Sequence, residues 1–229
     1  MERARQSQTA TKRKRIFLVE DHPVTGQGLA LLLNRESDLM VCGRVTTAAR
    51  ALAEIEAAKP DLVMVDIALA GRDGLELCKD IAKILPELPA LVLSTLDEAI
   101  YSERAFRAGA KGYVMKQEPV EVLLGAIRQV LAGEVYLSEA MRNRLFQISM
   151  TGASKNGTSD IDQLSDRELE VFRLIGEGLG TRDIANNLRL SISTVETHRT
   201  HIKEKLGAKR SPDLVRQAVE WVHTQNFKT

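Results

Sequence analysis

Residues 62–67 read Leu-Val-Met-Val-Asp-Ile, a short apolar run that ends at an acidic residue. Four other apolar runs of similar length are bounded by turn-forming or charged residues, as buried parallel strands tend to be. The five predicted strands are Ile16–Val19, Met40–Val45, Leu62–Val65, Ala90–Ser94 and Gly112–Met115. Segments with helical spacing separate them, most clearly Glu118–Ala132. Five β-α repeats predict a doubly wound α/β domain with a five-stranded parallel sheet and helices on both faces.

Length and composition suit a globular chain of two domains. The 229 residues exceed one ordinary domain, and 44% are hydrophobic and 28% charged. No apolar run approaches the roughly 18 residues of a membrane span, and the polar, basic start has no signal-peptide core. Cys42 and Cys78 lie far apart without metal-like spacing, which is typical of buried thiols in a reducing compartment. We therefore expect a cytoplasmic protein with no membrane contact.

Charge is distributed unevenly along the chain. Residues 16–152 hold fourteen basic and nineteen acidic residues, whereas residues 189–210 hold six basic and two acidic ones. An acidic first domain is a poor partner for nucleic acid, and a basic stripe near the end is a plausible one.

The chain divides into four parts. Residues 1–14 form a basic tail that we expect to be flexible, and residues 15–142 form the α/β domain. Residues 149–163 are rich in Ser, Thr, Gly and Asp, which predicts a linker, and we place it over 143–163. From Ser165, which can form a capping box with Glu168, the sequence predicts a small all-helical domain over 164–226.

Polar side chains follow the strands at the edge where ligands bind in doubly wound sheets. Glu20 and Asp21 follow the first strand and Asp66 the third. Ser94 ends the fourth strand and Lys116 follows the fifth. Clustered carboxylates favour a hard cation such as Mg²⁺. An ionised Asp66 could then attack a phosphoryl donor while the metal and Lys116 neutralise charge on the transferred oxygens.

These residues make the first ~130 positions resemble the receiver domain of a bacterial response regulator, a flavodoxin-like fold. The matching segments are Phe-Leu-Val-Glu-Asp-His-Pro (17–23), Leu-Val-Met-Val-Asp-Ile (62–67), Asp-Gly-Leu-Glu-Leu (73–77), Leu-Val-Leu-Ser-Thr (91–95) and Gly-Ala-Lys-Gly-Tyr-Val-Met-Lys (109–116). The resemblance implies that Asp66 is the phosphoacceptor and that Asp21 and Asp66 hold Mg²⁺. It further implies a water-mediated role for Glu20, a metal contact from the Ala68 carbonyl, and a conformational relay of Ser94 and Tyr113.

Two positions depart from the receiver pattern. Ala70 stands where a proline usually follows the phosphoacceptor turn, which would loosen the loop beside Asp66. Gln117 follows Lys116 where many receivers have proline, and this leaves open whether the peptide bond there is cis.

The third helix of the second domain, predicted over about Ser191–Leu206, has two different faces. At 100° per residue the apolar face carries Val195, His198, Ile202 and Leu206, and the opposite face carries Ser193, Glu196, Thr197 and Thr200. A short turn separates it from a preceding helix, Thr181–Leu188. Two helices joined in this way predict a helix-turn-helix that binds DNA.

The same region resembles the LuxR-type helix-turn-helix of the NarL/FixJ branch of response regulators. The matching segments are Leu-Ser-Asp-Arg-Glu-Leu-Glu-Val (164–171), Gly-Leu-Gly-Thr-Arg-Asp-Ile-Ala (178–185), Ser-Thr-Val-Glu-Thr-His (193–198) and Ile-Lys-Glu-Lys-Leu-Gly (202–207). The resemblance implies base contacts from Glu196, Thr197 and Thr200, in a DNA-binding set that includes Ser193 and Thr194. Phosphate contacts would come from Arg199, Lys203, Lys205, Lys209 and Arg210.

Three residues of this region have two interpretations each. Glu196 either accepts a hydrogen bond from cytosine N4 or forms a local capping box with Ser193. The resemblance to the LuxR-type family implies that Ser191 is the cap, which favours the first interpretation. His198 shares the apolar face, which favours a packed histidine over a DNA contact. Trp221 is expected in the core or in a dimer interface.

Together these features predict a response regulator transcription factor rather than an enzyme. A sensor histidine kinase would phosphorylate Asp66, and the phosphorylated receiver would control homodimer formation and binding to double-stranded DNA. Pairing surfaces are expected at 97–132 or 212–223. Two alternatives stay open. One is a DNA-binding regulator with an unphosphorylated receiver. The other is an aspartyl-nucleophile phosphatase, disfavoured because Ala68 stands where the acid aspartate would be.

Overall fold

The computed structural model describes residues 12–69, 73–151 and 160–226. Its first part contains a five-stranded parallel sheet in the order β2-β1-β3-β4-β5. The strands are β1 (Lys14–Val19), β2 (Leu39–Val45), β3 (Leu62–Val65), β4 (Ala90–Ser94) and β5 (Gly112–Met115). The predicted doubly wound sheet is confirmed, and β3, β4 and β5 have the predicted bounds.

Helices alternate with the strands and then continue alone. They are α1 (Pro23–Arg35), α2 (Ala48–Ala58), α3 (Gly74–Ile84), α4 (Glu98–Arg107), α5 (Val120–Leu131), α6 (Glu139–Thr151), α7 (Asp166–Gly176), α8 (Thr181–Asn187), α9 (Ile192–Lys205) and α10 (Ser211–Asn226). Thr47, Asp73 and Asp97 cap α2, α3 and α4 by accepting a backbone N–H in the first turn. Such caps satisfy amides that a helix start leaves without partners.

Successive residues of the strands face opposite sides of the sheet, and each side has its own core. Ile16 and Leu18 of β1 point towards α1 and α5, where Leu33 and Ile127 are fully buried. Phe17 and Val19 point to the other side, towards α2, α3 and α4. The apolar cluster on that second side continues into the helical domain, through residues such as Leu164, Leu169 and Phe172. The two domains therefore share buried apolar surface.

The helical domain is built around α7. The predicted capping box is confirmed, because the Ser165 side chain accepts from the Glu168 amide and the Glu168 carboxylate accepts from the Ser165 amide. At the far end of α7, Gly176 lets α10 approach closely, since a Cβ atom there would collide with the Ala218 carbonyl. The Phe172 and Trp221 rings lie 5.7 Å apart and tilted, so Trp221 packs on the core as one of its two interpretations required.

Two expected segments carry more structure than their composition suggested. α6 covers Glu139–Thr151, so a helix occupies the start of the polar stretch expected as linker, and a short 3-10 helix covers Asp160–Gln163. At the other end, Lys14 begins β1 and the Arg13 guanidinium donates to the carbonyl of Asn34. The last residues of the basic tail are therefore held by the α/β domain.

Candidate functional site

An acidic pocket lies at the carboxyl edge of the sheet, where the sequence predicted it. Glu20, Asp21 and Asp66 follow β1 and β3, and all three are at most 7% exposed. Lys116 extends from the end of β5, and its Nζ lies 2.7 Å from Asp66 Oδ2 and 2.8 Å from Glu20 Oε2. Residues from three separate strands thus meet in one buried charged group.

The donor set fits a divalent cation. Glu20, Asp21, His22 and Asp66 each offer one ligand atom, and these atoms lie within 4.8 Å of one another. Three carboxylates are the oxygen ligands that Mg²⁺ prefers, whereas the imidazole of His22 is a poor ligand for it. His22 was missed by the sequence reasoning; its Nδ1 lies 2.8 Å from Asp21 Oδ1 and 3.3 Å from Glu20 Oε1.

The charges of the pocket shift one another's ionisation. Burial raises the pKa of the Asp66 carboxyl, although the Lys116 ammonium acts against this shift. Burial acts to lower the pKa of Lys116, but the Asp66 and Glu20 carboxylates outweigh it and raise that pKa. Burial therefore dominates at Asp66, whereas the neighbouring carboxylates dominate at Lys116.

The two residues expected to act as a relay, Ser94 and Tyr113, both bind the backbone of Leu96, which lines the pocket. The Ser94 hydroxyl is fully buried and accepts from the Leu96 amide at 3.1 Å. Tyr113 is turned inward, and its hydroxyl donates to the Leu96 carbonyl at 2.7 Å. Burial raises the pKa of Tyr113, so its hydroxyl stays protonated and available as a donor. The two side chains thus bind opposite ends of one residue.

The backbone around the acceptor is closely packed. The Asp66 side chain accepts from the Ala68 amide at 3.2 Å, and Ala68 lines the pocket. Gly74 opens α3 directly against β3, and a Cβ atom there would overlap the Asp66 carbonyl oxygen. Among the described residues every peptide bond is trans, which answers the question left open at Gln117. Ala70 lies outside the described residues.

The predicted helix-turn-helix is formed by α8 and α9. Ser191 caps α9 by accepting from the Thr194 amide at 3.0 Å, and Val195 and Ile202 are fully buried. His198 is half-buried, and burial lowers the pKa of its imidazole, in agreement with the packed interpretation. Since the cap is Ser191, the capping box between Ser193 and Glu196 is not formed.

The predicted base-contacting residues share one exposed face of α9. This face carries Ser193, Glu196, Thr197 and Thr200. Glu196 Oε1 accepts from the Thr181 hydroxyl of α8 at 2.7 Å. Thr197 and Thr200 donate to carbonyls one turn earlier, each at 3.0 Å.

The predicted phosphate-contacting residues differ in their surroundings. Lys209 is exposed and Lys203 half-exposed, but Lys205 Nζ lies 2.5 Å from Glu168 Oε2. Arg210 pairs with Asp213 at 3.3 Å. Arg199 has only 15% of its side chain exposed, 4.0 Å from the Glu196 carboxylate. The structure thus brings the predicted set together on one domain, with some cations already engaged.

Contacts between the domains reach the acidic pocket. Arg189, in the turn between α8 and α9, donates to Asp21 Oδ2 at 2.8 Å. Arg104 of α4 donates to Asp166 Oδ1 at 2.9 Å and to the Leu164 carbonyl at 2.8 Å. A cavity of about 410 Å³ opens between Asp66 and Lys116 on one side and α7 and Arg189 on the other. Sequence reasoning counted Arg189 only as part of the basic stripe.

Fold and site together define a class. A doubly wound sheet whose carboxyl edge holds an aspartate paired with a lysine, joined to a helix-turn-helix, is the architecture of a response regulator.

Comparison with known families identifies the branch. Residues 16–128 match the response regulator receiver domain and residues 162–218 match the bacterial regulatory proteins of the luxR family. The oxygen regulatory protein NreC of Staphylococcus aureus is 36% identical over 210 residues, which cover 90% of this chain and 97% of that protein. The chain therefore belongs to the NarL/FixJ response regulators, transcription regulators with a receiver and a LuxR-type DNA-binding domain.

Solved structures show the same architecture. A LuxR-family two-component response regulator from Aurantimonas sp. SI85-9A1 is 28% identical with a TM-score of 0.57, covering 61% of this chain and 99% of that one. The RcsB response regulator of Salmonella typhimurium is 25% identical with a TM-score of 0.54, covering 90% and 98%. In the described part of this chain, no helix is long and apolar enough to cross a membrane.

Proposed function

We propose that Asp66 accepts a phosphoryl group from a partner sensor histidine kinase, and that the phosphorylated receiver controls dimerisation and DNA binding. The observation that carries this proposal is the Asp66 carboxylate itself. It is buried, lies 2.7 Å from the Lys116 ammonium, and shares its pocket with two more carboxylates. An ion pair that only stabilised the fold would need one carboxylate for one lysine, whereas this pocket gathers three.

In the proposed transfer, an Asp66 carboxylate oxygen attacks the phosphorus of a phosphohistidine. A new O–P bond forms as the N–P bond breaks, and the departing imidazole nitrogen keeps its electron pair and takes up a proton. Lys116 stays charged and stabilises the negative oxygens of the phosphoryl group. Mg²⁺, held by Asp21 and Asp66 with Glu20 through water and the Ala68 carbonyl, would supply further neutralising charge.

Ser94 and Tyr113 would then transmit the effect of phosphorylation from Asp66 to the start of α4. A phosphoryl group adds roughly −1.5 to −2 charges and three acceptor oxygens. Ser94 would turn its hydroxyl towards those oxygens and release the Leu96 amide. Since Tyr113 binds the Leu96 carbonyl, a shift of this segment would move both relay residues and the start of α4. The receiver can change the affinity for DNA only by the difference in free energy with which its two states bind the helical domain, here called the reading domain.

For the reading domain we propose base contacts from Glu196, Thr197 and Thr200, with Ser193 and Thr194 at the edge of the groove. The basic residues named above would contact phosphates and set the salt dependence. Two reading domains on two half-sites would match the symmetry of DNA, which favours a homodimer. Its pairing surface would lie at 97–132 or at 212–223.

Mass spectrometry tests the phosphoryl step directly. The full chain is incubated with acetyl phosphate and Mg²⁺ beside the variant Asp66→Asn, which keeps the shape of the side chain but removes the nucleophilic charge. We expect one phosphoryl adduct on the wild type and none on the variant. An unmodified wild type, or equal adducts on both, would refute the assignment of Asp66.

Selection of bound DNA from a genomic library tests the switch. The wild type is used with and without acetyl phosphate, with Asp66→Asn as the matched control. We expect phosphorylation to strengthen binding at a shared set of sites and to leave the variant unaffected. Identical footprints in both states would remove the switching role while leaving DNA binding in place.

A further inference from the structure

The inter-domain contact at Asp21 joins two parts of the chain with different tasks. Arg189 belongs to the helix-turn-helix, and Asp21 belongs to the acidic pocket of the receiver. The guanidinium Nη1 lies 2.8 Å from Asp21 Oδ2, a charge-assisted hydrogen bond. Only 4% of the Asp21 side chain is exposed, whereas 46% of the Arg189 side chain is. A surface arginine of one domain therefore reaches into the buried site of the other.

The local backbone projects Arg189 out of its domain. Its φ is +51°, a left-handed conformation that residues other than glycine adopt only sparingly. The turn is held by hydrogen bonds from the Arg189 amide to the Asn186 carbonyl and from the Leu190 amide to the Ala185 carbonyl. Because α9, the helix with the predicted base-contacting residues, begins at Ile192, a movement of Arg189 would also move the start of α9.

Each carboxylate of the pocket has a positively charged neighbour, and for Asp21 this neighbour is Arg189. Lys116 lies between Asp66 and Glu20, at 2.7 and 2.8 Å, and Arg189 binds the third carboxylate, Asp21. Arg189 contacts Oδ2 of Asp21, and Oδ1 of the same carboxylate lies 2.8 Å from His22 Nδ1. A divalent cation among the three carboxylates would need an oxygen of this same Asp21 carboxylate. Two positive groups on one carboxylate repel each other, and the burial of Asp21 reduces the screening of this repulsion by solvent. Metal binding and the Arg189 contact are therefore in competition.

We propose that Arg189 is a built-in competitor of the metal ion: it occupies Asp21 while the domains are docked, and Mg²⁺ displaces it. The inference rests on the proposed function, because it takes the pocket to be the metal site. Linkage makes the effect reciprocal, so docking weakens Mg²⁺ binding by the same factor as Mg²⁺ weakens docking. The metal thus loosens the reading domain before any phosphoryl group arrives.

Calorimetric titration of the full chain with MgCl₂ alone, at constant ionic strength, tests the competition. Arg189→Gln removes the charge and keeps a long polar side chain, and Arg189→Lys restores the charge. Arg182→Gln is the matched control, because it makes the same charge change at an exposed residue of α8 in the same domain. We expect Arg189→Gln to lower the Kd for Mg²⁺ about 3- to 10-fold, with Arg189→Lys closer to wild type and Arg182→Gln unchanged.

Amide hydrogen exchange measures the reciprocal effect, which is the weakening of domain docking by Mg²⁺. Added Mg²⁺ should speed exchange in α7 and in the turn at 188–191 of the wild type. In Arg189→Gln this exchange should already be fast without Mg²⁺ and change little on its addition. Equal Mg²⁺ affinities for wild type and Arg189→Gln would overturn the competition and leave phosphorylation of Asp66 standing. Absence of Mg²⁺ binding in every variant, with no phosphoryl adduct, would instead remove the proposed function and the competition with it.

Discussion

Two sides of the helix-turn-helix domain face different surroundings. The docked side, formed by Asp166, Glu170 and Arg189, lies against the receiver, and the two carboxylates are 8% and 6% exposed. The reading side, formed by Ser193, Glu196, Thr197 and Thr200, is exposed. The receiver therefore holds the domain without covering the predicted base-contacting residues. If phosphorylation controls DNA binding as proposed, we expect it to change where the helical domains are placed rather than whether those side chains are exposed.

The largest expected effect is a loss of stability when the core of the helical domain, between its docked side and its reading side, is disrupted. Ile202 is fully buried on α9, and Ile202→Ala should lower the free energy of unfolding of the helical domain by about 2–4 kcal/mol, because it leaves a cavity. Docking and DNA binding should weaken together, while phosphoryl transfer to Asp66 continues. Chemical denaturation followed by Trp221 fluorescence measures the change.

A second isoleucine of the same helix provides the control for this test. Ile192 is 48% exposed, so Ile192→Ala should alter stability by less than about 0.5 kcal/mol. Equal losses in the two variants would mean that α9 is not anchored through Ile202.

A smaller effect is expected on the reading side alone. Glu196→Gln keeps an oxygen that can accept from the Thr181 hydroxyl, but it removes the negative charge that would face the DNA groove. Affinity for unrelated DNA should rise, and discrimination at one base pair should fall by about 1–3 kcal/mol, the worth of a specific base contact. Binding to a library randomised at each position of the site measures both quantities.

The matched control for the reading side is Glu204→Gln, which removes an exposed carboxylate from the same helix. It should raise general affinity and leave sequence preference unchanged. A lasting preference in Glu196→Gln would show that the negative charge of Glu196 does not set the sequence preference.

The smallest effect concerns the docked side and pH. Burial, helped by the nearby Asp166 carboxylate, raises the pKa of Asp73 to about 7. A carboxyl whose pKa is higher in the folded state than in the unfolded state lowers stability as the pH rises from the unfolded pKa to the folded one, so the docked form should lose stability between about pH 4 and pH 7. Asp73→Asn keeps a helix cap and removes this loss, which makes the variant more stable than wild type at pH 8 by roughly 1–2 kcal/mol.

Unfolding measured at pH 5.5 and pH 8 checks this sign. The control is Asp97→Asn, which replaces an exposed carboxylate cap at the start of α4 in the same way. If both substitutions alter the pH profile equally, burial of Asp73 beside the helical domain is not the cause.

The sequence predicted what depends on local pattern and on strand ends. The strands are apolar runs with clear limits, and parallel strands bring their carboxyl ends together, so the sequence alone could place Asp21, Asp66 and Lys116 in one pocket. The α6 helix was not predicted, because the residues of 139–151 show no continuous apolar stripe. The Arg189 contact was beyond reach for another reason. It joins residues 168 positions apart across a domain interface, and no periodicity records such a pairing.

The close approach at Gly74 has a consequence for how this chain can vary. Any side chain at this position would push α3 away from the backbone of the residue proposed to carry the phosphoryl group. The neighbouring Asp73 both caps α3 and lies near the acidic residues of the docked domain. Packing therefore constrains Gly74, whereas electrostatic interaction with the helical domain constrains Asp73. We expect substitutions at Asp73 to change the strength of the contact between the domains, and substitutions at Gly74 to displace α3.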